Sequence, residues 1–151
     1  MKKRLVSSAI LLLALTLAGC AKHDSSASGG GHVHRAPHGG KLVELGQHAY
    51  NVELVRDTAT GTLTAYLLDG HAENFIRIAA PAVEVTAFSG GQKRTLALKA
   101  VANTVTGETV GNTSQFEAQA DWLKSGGELN GEISATEIRG TRFGPAAFQL
   151  K

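Results

Sequence analysis

Cysteine is almost absent: Cys20 is the only one in 151 residues. A single thiol excludes an internal disulfide and every structural zinc motif built on cysteine pairs, so a metal site here has to use histidine, carboxylate or backbone oxygen. Aromatic residues are few, at 5%, and there are only three prolines. Neither sign of charge dominates. The formal net charge is +2, but Lys2, Lys3 and Arg4 stand together at the N-terminus; without them 12 cationic residues face 13 acids, a net of −1. That balance gives no electrostatic footprint for nucleic acid. With 42% hydrophobic and 19% charged residues, the chain is neither a disordered nor a coiled-coil sequence, and its length suits one ordinary domain.

Lys2-Lys3-Arg4 precedes an apolar run, Leu5 to Thr16, that is shorter than the ~20 residues of a membrane span and fits the hydrophobic region of a signal peptide. Leu17-Ala18-Gly19-Cys20 follows. This pattern of small residues before a cysteine resembles the lipobox of bacterial lipoproteins. The resemblance implies removal of residues 1–19, lipidation of Cys20 with palmitate-type chains, and a place in the cell envelope, anchored to a membrane by lipid. Ala21 after the cysteine favours the outer membrane, facing the periplasm, by resemblance to lipoproteins of enteric bacteria. Residues 20–36 then form a tether rich in Ser, Gly and His, with an end-to-end distance of roughly 22 Å.

From residue 37 to 151 the pattern is that of β-strands. Val52 and Leu54 alternate with Asn51 and Glu53; Leu63, Ala65 and Leu67 alternate with Thr62, Thr64 and Tyr66; Val83, Val85 and Ala87 alternate with Glu84 and Thr86. A period of two with many β-branched residues is the signature of a half-buried strand. Asp57 to Gly61, Gly90-Gly91 and Ser125 to Gly127 read as turns. Asp121 to Lys124 reads as one helical turn capped by Asp121. Ala102 to Thr113 reads as a long mobile loop, and Leu129 to Leu150 as two strands around Arg139-Gly140-Thr141. The expected fold is all-β, an antiparallel β-sandwich or small barrel of seven to nine short strands. Its expected core is Val43, Leu45, Val52, Leu54, Leu63, Leu67, Phe75, Ile78, Val83, Val85, Leu96, Leu98, Phe116, Trp122, Leu129, Ile133, Phe143 and Phe148.

Histidine carries what chemistry the sequence offers. All six lie in the first 71 residues. His32, His34 and His38 form one tract, and neutral imidazole is a good ligand for zinc, copper or nickel. His48 and His71 form a second candidate set, with Asp69 and Glu73 beside them. The competing reading of the same residues is a solvated spacer and ordinary turn positions. No Gly-x-Ser-x-Gly elbow, His-Glu-x-x-His or phosphate-binding loop occurs, so no enzyme is expected. Glu84, Glu117 and Glu132 fall on polar strand faces.

One stretch goes beyond composition. Pro37-His38-Gly39-Gly40-Lys41-Leu42-Val43-Glu44-Leu45-Gly46, then Tyr50 to Val55, then Gly61 to Asp69, resembles a segment of small envelope lipoproteins. It also resembles the N-terminal region of some periplasmic adaptors of heavy-metal efflux pumps of the resistance-nodulation-division type. The resemblance covers residues 37–78. It implies association with transition metal, with His38 as the matching histidine and His32 and His34 in the upstream tract. A chain of 151 residues leaves no room for the long helical hairpin, lipoyl-like and membrane-proximal domains of an adaptor, so the implied protein is a stand-alone module.

Two readings result. One is a lipid-anchored envelope protein that binds or buffers a divalent transition metal through His32, His34, His38, His48 and His71. The other is a non-catalytic structural or interaction lipoprotein, with an envelope protein as partner and incidental histidines. The first expects His38, His48 and His71 within reach of each other. The second expects an exposed aromatic patch near Tyr50, Tyr66 or Phe88.

Overall fold

The computed structural model describes residues 34–151. The signal segment, Cys20 and His32 lie outside the described residues. Ten strands run in chain order: β1 (Lys41–Leu45), β2 (Tyr50–Asp57), β3 (Thr62–Asp69), β4 (Ala82–Ser89), β5 (Gln92–Ala100), β6 (Gln115–Gln119), β7 (Leu129–Ile133), β8 (Thr136–Ile138), β9 (Thr141–Phe143) and β10 (Ala146–Leu150). Eight of them form one antiparallel sheet in the order β1-β2-β3-β6-β5-β4-β7-β10. Its two outer strands, β1 and β10, lie next to each other, so the sheet curls into a nearly closed barrel. β8 and β9 make a separate hairpin. The all-β expectation holds, in its barrel form.

The alternation explains the barrel directly. Successive side chains of a strand point to opposite faces. Val43 and Leu45, Val52 and Leu54, Leu63, Ala65 and Leu67, Val83, Val85 and Ala87, Leu98, Phe116, Leu129 and Ile133, and Phe148 and Leu150 all point inward and are buried. The interior is filled. A void of about 10 Å³ lined by residues such as Leu45, Phe116 and Thr136 is too small for an organic ligand.

Turn chemistry sets the register. Ser89 pairs with Gln92 across Gly90 and Gly91, whose φ values of 58° and 74° give the two-residue turn that suits the strand twist. Between β2 and β3, Asp57 Oδ1 accepts a hydrogen bond from the Ala59 N–H at 2.8 Å and Asp57 Oδ2 one from Thr60 Oγ1 at 2.8 Å, an Asx turn that closes the hairpin.

Several local expectations need correction. Asp121–Lys124 is a 3-10 turn, but Ala120 occupies the capping position without a side-chain bond. Asp121 instead pairs with Lys124 Nζ at 2.8 Å. The turn is held by Arg56, which donates from Nε to the Leu123 carbonyl at 3.0 Å, from Nη1 to that of Gly127 at 2.8 Å and from Nη2 to that of Ser125. The last 23 residues hold four strands, not two, because Ser134 and Gly144-Pro145 interrupt the ladder and let β8 and β9 fold back as a hairpin. Phe75 lies past the end of β3 and is 46% exposed. Leu96, Trp122 and Phe143 are half-buried against the core. Trp122 lies under the Arg94 guanidinium, and Phe143 meets the Tyr50 ring edge-on. Leu68, Leu123, Ile138 and Leu150 are buried and were not among the expected core.

Leu63 is fully buried between β2 and β6. Leu63→Ala therefore removes interior contacts and leaves a cavity, a loss of about 2–5 kcal/mol. Urea unfolding monitored by circular dichroism checks this through the shift of its midpoint.

Candidate functional site

The outward face of β2 is where the sequence pattern misleads. Asn51 and Glu53 alternate with core residues and read as solvent-facing, yet they are 4% and 0% exposed. The N-terminal segment before β1 covers Glu53. Its Oε1 accepts hydrogen bonds from the backbone N–H groups of His38 and Gly40, both at 2.8 Å, and its Oε2 lies 2.9 Å from His38 Nδ1. Charged acceptors with several N–H donors are the strong class of hydrogen bond, and they offset the cost of burying the carboxylate. Gly40 is required for this approach, since a Cβ there would collide with the Leu54 carbonyl oxygen and press on Glu53.

Held this way, the His38 ring stacks on Tyr66, with centroids 3.8 Å apart and planes 13° from parallel. Phe75 stands beside both rings, 5.7 Å from His38 and 6.3 Å from Tyr66. Burial, then the negative charges of Glu117 and Glu53, push the Tyr66 phenol above its ordinary pKa, so it stays a hydrogen-bond donor at neutral pH.

Facing this aromatic ledge is a second wall built on another buried carboxylate. Glu108 accepts from the Ser114 N–H at 2.9 Å, Ser114 Oγ at 2.6 Å and Thr106 Oγ1 at 2.9 Å. Arg77 Nε lies 3.5 Å away, and Arg77 Nη2 donates to the Thr106 carbonyl at 2.6 Å. Residues 103–113, expected to be a mobile loop, carry paired backbone bridges between Asn103 and Glu108, between Thr109 and Asn112, and between Ile78 and Thr113. Burial pushes the Glu108 carboxyl up, but the hydrogen bonds from Ser114 and Thr106 and the charge of Arg77 outweigh it, and the net pKa lies below 4.5. The two walls enclose a cleft of about 310 Å³.

A separate corner gathers histidines. His48 sits in the turn between β1 and β2, where its N–H donates to Glu44 Oε1 at 2.7 Å and its Nδ1 lies 3.2 Å from Glu44 Oε2. His71 sits in the turn after β3. Buried Asn51 donates to the carbonyls of Asp69 and Gly70 at 3.1 and 2.9 Å, pinning that turn. Gly70 packs directly on the His48 carbonyl, where any Cβ would collide. The His34 ring lies 5.6 Å from that of His71 and 6.4 Å from that of His48, centre to centre. Asp69 is used inside its own turn: Asn74 and the backbone of Glu73 donate to its carboxylate. The Asn74 amide is the main cause that holds its pKa below the ordinary value.

Of the sequence-derived candidates, His34, His48 and His71 are brought together, while His38 is taken up by Glu53 and Tyr66. Cys20 and His32 lie outside the described residues. Among the described residues, no group of three or more His, Cys, Asp or Glu side chains stands ready to hold a metal ion. Glu53, Asn51, Arg77 and Glu108 were not singled out by sequence, and Tyr66 only as part of an exposed aromatic patch. For Glu53 the one available signal was His38-Gly39-Gly40, where a glycine permits close backbone approach. No family model, curated protein or solved structure matches the chain.

Two outcomes follow for the buried carboxylates. Glu53→Ala orphans the N–H groups of His38 and Gly40 and costs on the order of 3 kcal/mol; chemical denaturation measures the loss, and hydrogen exchange at those two amides shows whether the segment detaches. For Glu108 the folded pKa is below the unfolded one, so its contribution is present above about 4.5 and disappears as pH falls through the folded value. The melting temperature of Glu108→Gln, followed from neutral to acid pH, should therefore decline less steeply than that of the unaltered protein below that point.

Proposed function

We propose that this is a lipid-anchored cell-envelope protein that binds or buffers a divalent transition metal, zinc, copper or nickel, at the corner of His34, His48 and His71. The observation that carries the reading is the convergence of three imidazoles from three separate segments, with ring centres 5.6 and 6.4 Å apart. Two imidazoles on one tetrahedral ion, each bound through a nitrogen about 2 Å away, hold their centres roughly 5 Å apart. Side-chain rotation closes that difference. Glu44 at His48 Nδ1 supplies the carboxylate that orients a ligating ring and leaves Nε2 for the ion. His32, two residues before His34, is a candidate further ligand. The lipid anchor at Cys20 rests on the N-terminal sequence alone, and the net charge of −1 outside the first four residues offers nothing to nucleic acid. Catalysis forms no part of the reading.

A second reading, an interaction module with incidental histidines, draws on Phe88, 52% exposed beside the β4–β5 turn.

Calorimetric titration of the purified protein with zinc, copper(II) and nickel separates the two. Micromolar or tighter binding is expected, lost in the His34→Ala, His48→Ala, His71→Ala triple variant and retained in a His38→Ala variant. Full affinity in the triple variant, or no binding of any of the three ions, sinks the metal reading. Crosslinking in the envelope, with Phe88→Ser as the control, then tests the interaction reading.

A further inference from the structure

The cleft between the aromatic ledge and the Glu108 wall shares no residue with the histidine corner. It opens onto the outer face of the barrel. The side chains it offers are His38, Tyr66, Phe75, Arg77, Asn103 and Gln115. Tyr66 and Gln115 are cross-strand neighbours of β3 and β6 and form its floor.

Charge decides what such a cleft can take. The charged groups of the two walls are answered within them: Arg77 by Glu108 at 3.5 Å, and Glu53 by the N–H donors of His38 and Gly40 and by the His38 ring. An ion entering would find the two charged lining residues, Arg77 and Glu108, already paired with each other, so the lining favours neither sign of charge. A wholly apolar ligand would strip water from two amides, a guanidinium and a phenol without replacing their hydrogen bonds, which is costly. What remains is a neutral molecule with hydroxyls on its rim and an apolar face. Planar amide and guanidinium groups pair with adjacent hydroxyls. The part-exposed Phe75 ring offers an apolar surface to stacked C–H groups.

We propose that this cleft binds a neutral saccharide of one or two pyranose rings. Its hydroxyls face Arg77, Asn103 and Gln115, and its C–H face lies against Phe75 and the outer side of His38. A volume of about 310 Å³ lies at the lower end of ligand pockets, ~300–1,000 Å³, which suits one or two rings and no longer chain within the cleft. The two buried carboxylates serve as supports. Glu53 fixes His38, and Glu108 fixes Arg77 and residues 103–114, so both walls are set before a ligand arrives. The proposal does not rest on the metal reading, because none of His34, His48 and His71 takes part.

The test is nitrogen-resolved NMR of the purified protein titrated with methyl glucoside, maltose, cellobiose and chitobiose. Benzoate and tetramethylammonium serve as charged controls, and the side-chain amides of Asn103 and Gln115 are the reporters. Saturable shifts of those amides by at least one sugar are expected. Phe75→Ala and Gln115→Ala should each weaken binding by up to about tenfold. The melting temperature of each variant is measured alongside; a value near that of the wild type separates lost binding from lost folding. Binding of the monosaccharide points to a free sugar, and binding only of the disaccharides to a segment of a glycan; either supports the proposal. It is overturned if no sugar shifts the two amides, if benzoate or tetramethylammonium shifts them as strongly, or if Phe75→Ala binds undiminished.

Discussion

A fully buried carboxylate, Glu53, is the constraint on which the functional surface depends. Placing a charge where no water reaches it costs several kcal/mol. Here two backbone N–H groups and one imidazole nitrogen surround it. The arrangement has one geometric solution: the chain before β1 must lie across β2, with Gly40 close against the Leu54 carbonyl. That crossing places the His38 ring over Tyr66 and turns a bare strand face into one wall of a cleft. Without Glu53 the segment would be held chiefly by the stack of the His38 ring on Tyr66.

Asn51 repeats the device two residues earlier on the same face. Its amide is spent on the carbonyls of Asp69 and Gly70 and fixes the turn that presents His71. Residues i and i+2 of a strand share a face, so β2 works as a rail. Its inward side chains, Val52 and Leu54, hold the barrel, and its outward ones, Asn51 and Glu53, each clamp an irregular segment. Both clamps use deeply buried polar side chains that hydrogen-bond to the backbone of the segment they hold, which is how such groups rigidify a structure.

The strands were legible because their signal is local. Alternation of Val52 and Leu54 or of Val83, Val85 and Ala87 is enough to fix strand and inward face, and Gly90-Gly91 is enough to fix a hairpin. The clamps were not legible, for a physical reason. Alternation says that Asn51 and Glu53 point away from the barrel interior. It cannot say that another part of the same chain covers them. Residues 102–113 differ from expectation in the same way: small, polar and glycine-bearing, they look solvated, yet backbone bridges and Glu108, buried by contacts with Ser114 and Arg77 that are distant or unpatterned in sequence, order them. Phe75 erred in the opposite direction. An aromatic residue near a strand reads as core, but it stands beyond the last inward position of β3, over the cleft. For the histidines, sequence gave the residue types, whereas their grouping depends on which turns adjoin, and that is set by Gly70 meeting the His48 carbonyl.

The filled interior explains why chemistry is confined to the outside. With about 10 Å³ free in the void lined by Leu45 and Phe116, the barrel interior has no room for a ligand, and ligands have access to its outer surface. The two proposed sites there differ in what they can hold. At the turns stand the three imidazoles of His34, His48 and His71, a ligand type that suits zinc, copper and nickel. On the outer face of β2 the Glu53 carboxylate is covered and satisfied, which leaves Tyr66, Phe75 and the His38 ring beside it. A metal ion gains little from Glu53 and Glu108, whose oxygens are already taken by N–H and O–H donors. A hydroxylated ring gains little from the histidine corner, where there is no flat apolar wall. The two proposed sites thus differ in one respect: which polar groups the fold spends on structure and which it leaves free.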